Sequence, residues 1–116
     1  ILCGHTGCGG IKAALSQGNF DLLNKWLRNV KEVYRLHQSE INAKASEEEK
    51  VNALVELNVR EQVENLIKTS VIQKAWLKRK SPIIHGWIYD MPSGLLQSIV
   101  EKDYAAEIDP VFKFTF

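Results

Sequence analysis

The stretch Gly4-His5-Thr6-Gly7-Cys8-Gly9-Gly10 constrains this chain more than any other. Four glycines in seven residues leave the backbone free to turn tightly and to approach a ligand closely. The apolar residues 1–3 before it, with Gly4, read as the end of a core strand. Residues 11–15 after it read as a short helix stopped near Gly18. A strand that leads through a glycine loop into a helix is the opening of an α/β unit.

The remaining elements follow from periodicity and punctuation. Phe20, Leu23, Leu27, Val30 and Tyr34 recur at three- and four-residue steps, predicting an amphipathic helix over about 19–38. Lys25, Arg28, Lys31 and Arg35 fall mostly off that stripe, on a solvated face. Residues 43–45 are a link. Ser46 and Glu49 fit a capping box, with Glu47 and Glu48 placed to favour a helix N-terminus. The helix they open is expected to reach Thr69 or beyond, with Val51, Leu54, Val55, Val59, Val63 and Leu66 inward. Glu56, Asn58, Gln62 and Asn65 lie close to that stripe, and residues 71–80 continue the helix.

Pro82 ends it. Residues 83–89 then read as a β-branched and aromatic strand, 90–94 as a turn and 95–100 as a returning strand. The alternating tail, residues 111–116, reads as an edge strand or a docked extension. The fold class is therefore α/β, a partial parallel β-sheet with flanking helices and a crossover between parallel strands. About three strands make a marginal sheet, so further chain or a partner is expected to complete it. The chain starts with Ile on an apolar strand, and residues 1–116 are read as a single incomplete domain whose upstream part is absent.

Charge narrows the partners. Fifteen Lys+Arg against fourteen Asp+Glu give a net charge of +1, which supplies no field for nucleic acid or an anionic membrane. The run Lys78-Arg79-Lys80 is read as a solvated helix end. No apolar run approaches the roughly 20 residues that span a bilayer, and no basic-then-apolar stretch within these residues reads as a leader. Two cysteines are too few for a secreted disulfide framework, so a reducing, intracellular compartment is expected, cytoplasmic or organellar.

His5 and Cys8 admit three readings. A histidine and a cysteine with two residues between them can both reach one zinc ion as the chain leaves a strand, and a helix start behind Cys8 favours its thiolate. Zinc normally takes four ligands, however, so the pair alone is not a site. Packing without metal is the second reading. A redox pair of Cys3 with Cys8 is the third and the weakest, because Cys3 reads as a buried strand residue and the spacing is not Cys-x-x-Cys. His37 is read as surface or boundary, and His85 as a satisfied core histidine. Trp26, Trp76 and Trp87 are read as core or interface anchors. No nucleotide-binding glycine motif occurs, and Ser93 lacks the setting of a hydrolase nucleophile.

The segment GHTGCGGIKAAL resembles the second zinc-ligand motif of the β-class carbonic anhydrases, Gly-His-x-x-Cys-Gly-Gly. The resemblance continues through LLNKWLRNVKEVY, ELNVREQVENLIKTSVIQKAW and IIHGWIYDMPSGLL, in the family's order and spacing. It implies a zinc lyase that interconverts carbon dioxide and bicarbonate, with His5 and Cys8 as metal ligands. Gly9 and Gly10 would border the substrate pocket. It also implies a homodimer or higher oligomer, with active sites near the subunit interface. The family's first motif, Cys-x-Asp-Ser-Arg, supplies another zinc-binding Cys and an Asp–Arg pair, and belongs upstream of these strands. None of Cys3, Asp21, Asp90, Asp103 and Asp109 carries that motif, so the catalytic pair is not in this chain. The alternative is a shortened, zinc-free relative that keeps the scaffold for assembly or binding.

Overall fold

In the computed structural model, which describes residues 1–116, three strands form one sheet in the order β1-β2-β3. Strand β1 (Leu2–His5) runs parallel to β2 (Ile84–Asp90), with Leu2 opposite Gly86 and His5 opposite Tyr89. Strand β3 (Leu95–Lys102) returns antiparallel to β2, and the pairing carries a bulge at Gly86/Trp87. The sheet is thus mixed: the expected parallel pair is present, and the turn after Asp90 adds an antiparallel third strand. The far edges of β1 and β3 have no strand beside them.

The helices between β1 and β2 are α1 (Gly9–Ala14), α2 (Leu23–Leu36), α3 (Gln38–Asn42), α4 (Glu47–Ile67) and α5 (Ser70–Arg79). Helix α4 carries the core. Val51, Leu54, Val55, Val59, Val63 and Ile67 are buried along its length, whereas Leu66, expected inward, is half-buried beside Ile67. Two strand glycines let this helix lie close to the sheet. A methyl group added at Gly4 would stand 2.8 Å from Val59 and 2.9 Å from Val55, and one added at Gly86 would meet Val100, Val59 and Val63. Against the other side of α4 lie Leu27, Val30 and Val33 of α2, with Ile11 and Ala14 of α1 and Ile41 of α3. A second cluster joins Val63 and Ile67 to Trp76 and Ile84.

The expected cap is present. Ser46 Oγ accepts from Glu49 N at 3.2 Å, and Glu49 Oε2 accepts in turn from Ala45 N at 3.0 Å, one residue before the cap. Ser46→Ala is expected to lower the unfolding free energy by about 1 kcal/mol. The measurement is a lower urea midpoint at unchanged denaturant slope.

Local side-chain bonding moves several boundaries. The helix predicted from residue 19 starts at Leu23, because Asn19 and Asn24 side chains take the N–H groups of Asp21 and Phe20, and Asp21 adopts φ 50°. Phe20 and Leu23 are consequently exposed, and Val33 is the buried residue in their place. The same helix ends at Leu36, two residues before its expected end, and a separate short helix, α3, begins at Gln38. Thr69 separates α4 from α5: its hydroxyl donates to Leu66 O at 2.7 Å and accepts from Ile72 N at 3.4 Å. Of the three tryptophans only Trp76 is buried, its indole donating to Pro82 O at 2.6 Å; Trp87 is half-buried and Trp26 is 50% exposed.

The tail is the docked extension of the two alternatives. It forms a 3₁₀ turn, Pro110–Phe112, rather than an edge strand. Gln73 holds it by donating to Phe112 O at 3.0 Å and accepting from Phe114 N at 3.1 Å, while the Lys68 ammonium sits 4.6 Å from the Phe112 ring centroid. No helix is long and apolar enough to cross a membrane.

Candidate metal centre

The loop between β1 and α1 is pinned on both sides. Thr6 N donates to Tyr89 O at 3.1 Å, carrying the parallel ladder one residue past β1. Thr6 Oγ1 accepts from Met91 N at 2.9 Å, tying the loop to the turn between β2 and β3. Gly7 has φ +65°, a left-handed conformation that a side chain disfavours. Its N–H donates to Asn52 Oδ1 of α4 at 2.9 Å.

Nothing lies within 4 Å of a methyl group added at Gly7, so the glycine is required by conformation and not by space. Gly7→Ala is therefore expected to destabilise by about 1–2 kcal/mol. Gly9, with equally open surroundings and no positive φ, is the internal comparison: Gly9→Ala is expected to leave stability unchanged or slightly raised. Parallel urea titrations of the two variants make the test.

This pinning sets the two candidate ligands. His5 Nδ1 lies 2.9 Å from Thr6 O. A carbonyl oxygen only accepts, so Nδ1 carries the proton and Nε2 of the neutral ring keeps a free lone pair. That is the arrangement in which a second hydrogen bond fixes a metal-binding imidazole. Cys8 is the N-cap residue of α1, a half-buried free thiol that makes no side-chain capping bond. Both side chains line one cavity of about 360 Å³, between β1, α1, α2 and α4. Its apolar wall includes Leu2, Ile11, Val55 and Val59, and Asn58 and Gln62 add amides, joined by a 3.2 Å hydrogen bond.

The two donors suit zinc, one imidazole nitrogen and one thiol with no competing protein partner, and they make half of a four-ligand set. No group of three His, Cys, Asp or Glu side chains in the chain is placed to hold an ion, so the other donors would have to come from elsewhere.

Other candidates are placed differently from expectation. Cys3 is exposed, its thiol donating weakly to Gly4 O at 3.4 Å, because strand alternation turns it to the face opposite Gly4, which packs on α4. It lines the same cavity. His85 is half-buried and not in the core: its Nδ1 lies 3.3 Å from Glu101 Oε2 on β3, and its ring tilts against Trp87. His37 is a boundary residue, 3.9 Å from Glu40. Lys31, expected on a solvated face, donates to Ala14 O at 2.8 Å and Ser16 O at 2.9 Å, capping the end of α1.

Gly9 and Gly10 open α1. A methyl group at Gly10 would come 3.0 Å from the Trp26 ring and 3.8 Å from Cys8 Sγ, so Trp26 closes over this corner of the cavity. Asn58 and Gln62 read from the sequence only as polar positions beside the apolar stripe of α4, with Glu56 and Asn65, and with no role at the site. Nothing in the sequence near the loop marks Asn52 or Trp26.

A family model described as carbonic anhydrase matches residues 1–96. A carbonic anhydrase of Emericella nidulans is 44% identical over 99% of this chain and 51% of its own length. One from Saccharomyces cerevisiae is 30% identical over 85% of this chain and 48% of its own length. Among solved structures, the β-carbonic anhydrase CafA of Aspergillus fumigatus superposes with a TM-score of 0.78 at 37% identity, covering 90% of this chain and 48% of that one. A structure reporting two tetrameric β-carbonic anhydrases of Sordaria macrospora gives 0.81 at 32% identity, over 87% of this chain and 52% of that one. The chain spans about half the length of the curated relatives it matches.

Proposed function

The chain belongs to the β-class carbonic anhydrase family, and on that premise we propose that the complete protein reversibly hydrates carbon dioxide to bicarbonate. Zinc would be held by His5 Nε2 and Cys8 Sγ, together with donors from outside residues 1–116. One observation carries this reading. The His5 ring is fixed through Nδ1 with Nε2 left free, on the same cavity as a thiol that caps nothing.

When bound, zinc supplies the positive charge that lets water lose a proton near neutral pH. The chain's own residues supply the rest. Thr6 O orients the imidazole. The apolar wall of Leu2, Ile11, Val55 and Val59 offers a nonpolar linear molecule a surface free of competing hydrogen bonds. Gly9 and Gly10 form the border of the substrate space, with Trp26 packed over Gly10.

A homodimer or higher oligomer fits the large apolar side chains left exposed, among them Leu22, Leu23, Trp26 and Leu36 on or beside α2. Two free thiols fit a reducing compartment inside the cell, cytoplasmic or organellar.

Elemental analysis and stopped-flow hydration of the complete protein test the reading together. About one zinc per subunit with measurable hydration supports it. The scaffold reading, which the presence of only two donors in the chain keeps open, requires a zinc-free protein without turnover.

A further inference from the structure

We propose that Asn52 is a positioning residue for the zinc-ligand loop, a role that rests on the metal reading of His5 and Cys8. Two residues separate the ligands, and the second of them, Gly7, is left-handed at φ +65°. The sign of φ at that residue decides in which direction the chain leaves it, and so where Cys8 points relative to His5. Glycine adopts positive and negative φ with nearly equal ease, and nothing packs within 4 Å of the position a Gly7 side chain would take. Sterics therefore do not select the conformation. The Gly7 N–H, given to Asn52 Oδ1 at 2.9 Å across 45 residues of sequence, does.

Asn52 is suited to this by where it stands. It lies in the second turn of the 21-residue α4, between Val51 and the buried Leu54 and Val55, which seat the helix in the core. On the Thr6–Gly7 peptide itself the carbonyl accepts from His5 Nδ1 at 2.9 Å, within the loop, and only the bond to Asn52 ties this unit to another element. Thr6 is held to Tyr89 and Met91, and Lys31 holds the far end of α1. Of the two N–H groups between the donor residues, that of Thr6 goes to Tyr89 O and that of Gly7 to Asn52 Oδ1. Removing the Asn52 oxygen leaves the Thr6–Gly7 peptide held only by the His5 ring, so the carbonyl that orients the imidazole and the chain leading to Cys8 are no longer anchored to α4. Outer hydrogen bonds of this kind are typically worth about 10–100-fold in metal affinity.

The test uses the complete protein as parent, with Asn52→Ala, Asn52→Asp and a control, Asn42→Ala. The control removes an amide that accepts from Tyr34 OH at 3.1 Å, away from the loop. Alanine is the best helix former, so Asn52→Ala is compatible with α4, and aspartate keeps an oxygen for the Gly7 N–H. Zinc affinity is read by competition with a chromophoric chelator, and ligand geometry by the absorption bands of the cobalt-substituted protein. Asn52→Ala is expected to bind zinc about tenfold more weakly, with altered cobalt bands, while Asn52→Asp and Asn42→Ala keep the parent's affinity and spectrum. If the parent binds both metals and Asn52→Ala matches it in affinity and spectrum, the positioning role is overturned alone. Loss in Asn52→Ala that Asn52→Asp does not restore also overturns it. A parent that takes up neither metal overturns the zinc reading, and this role with it.

Discussion

Cys8→Ser in the complete protein is expected to abolish both zinc retention and carbon dioxide hydration while leaving the fold intact. The hydroxyl of serine stays protonated at neutral pH and is a far poorer zinc ligand than a thiolate. The substitution would remove one of the proposed zinc donors without opening a cavity, since Cys8 is half-buried at the start of a short helix and its sulfur takes part in no capping bond. Loss of activity with an unchanged melting temperature of the metal-free protein separates a ligand from a packing residue. Full hydration by a Cys8→Ser protein would end the role assigned to it.

Gly86→Ala is expected to have the largest effect on stability, about 3 kcal/mol. The added methyl group would run into Val100 Cγ1 while standing 3.0 Å from Val59 and 3.2 Å from Val63. All three neighbours are β-branched and stiff at χ1, so none can swing aside within its rotamer well. The strain falls on the place where β2, β3 and α4 meet, and where the bulge in the β2–β3 pairing already sits. Gly7→Ala costs backbone strain alone, so it is the milder change on the same denaturation assay. Equal midpoints for the two variants would mean that α4 does not approach the sheet as closely as described.

What the amino-acid sequence disclosed depended on how far apart the interacting groups lie along the chain. Ser46 and Glu49 signal the start of α4 because a cap is decided within one helical turn. The strand at Ile84–Asp90 and its return were readable from Pro82 and the Asp90–Gly94 turn for the same reason. The break at Thr69 was not, because an apolar stripe continues past it and only the threonine's own two hydrogen bonds end the helix. Asn19 and Asn24 likewise displaced a helix start that periodicity placed four residues earlier.

The site shows the same division. His5 and Cys8 stand out by spacing. The exposure of Cys3 depends on which face of the sheet the helices cover, which its neighbours in sequence do not record. Lys31 and Asn52 reach the loop and its helix from 15 or more residues away, and both look like ordinary surface polar residues of amphipathic helices. Trp26 reads as a core or interface anchor, and that it is half-exposed over Gly10, where the glycine leaves room for its ring, is not written in the residues around it.

Zinc-edge X-ray absorption on the complete native protein, beside its His5→Ala and Cys8→Ser variants, tests the central claim most directly. The account predicts a mixed nitrogen and sulfur shell in the native protein, with the metal lost, or the shell short of one imidazole or one sulfur, in the respective variant. A native protein without zinc, or a metal shell that neither substitution alters, would contradict it.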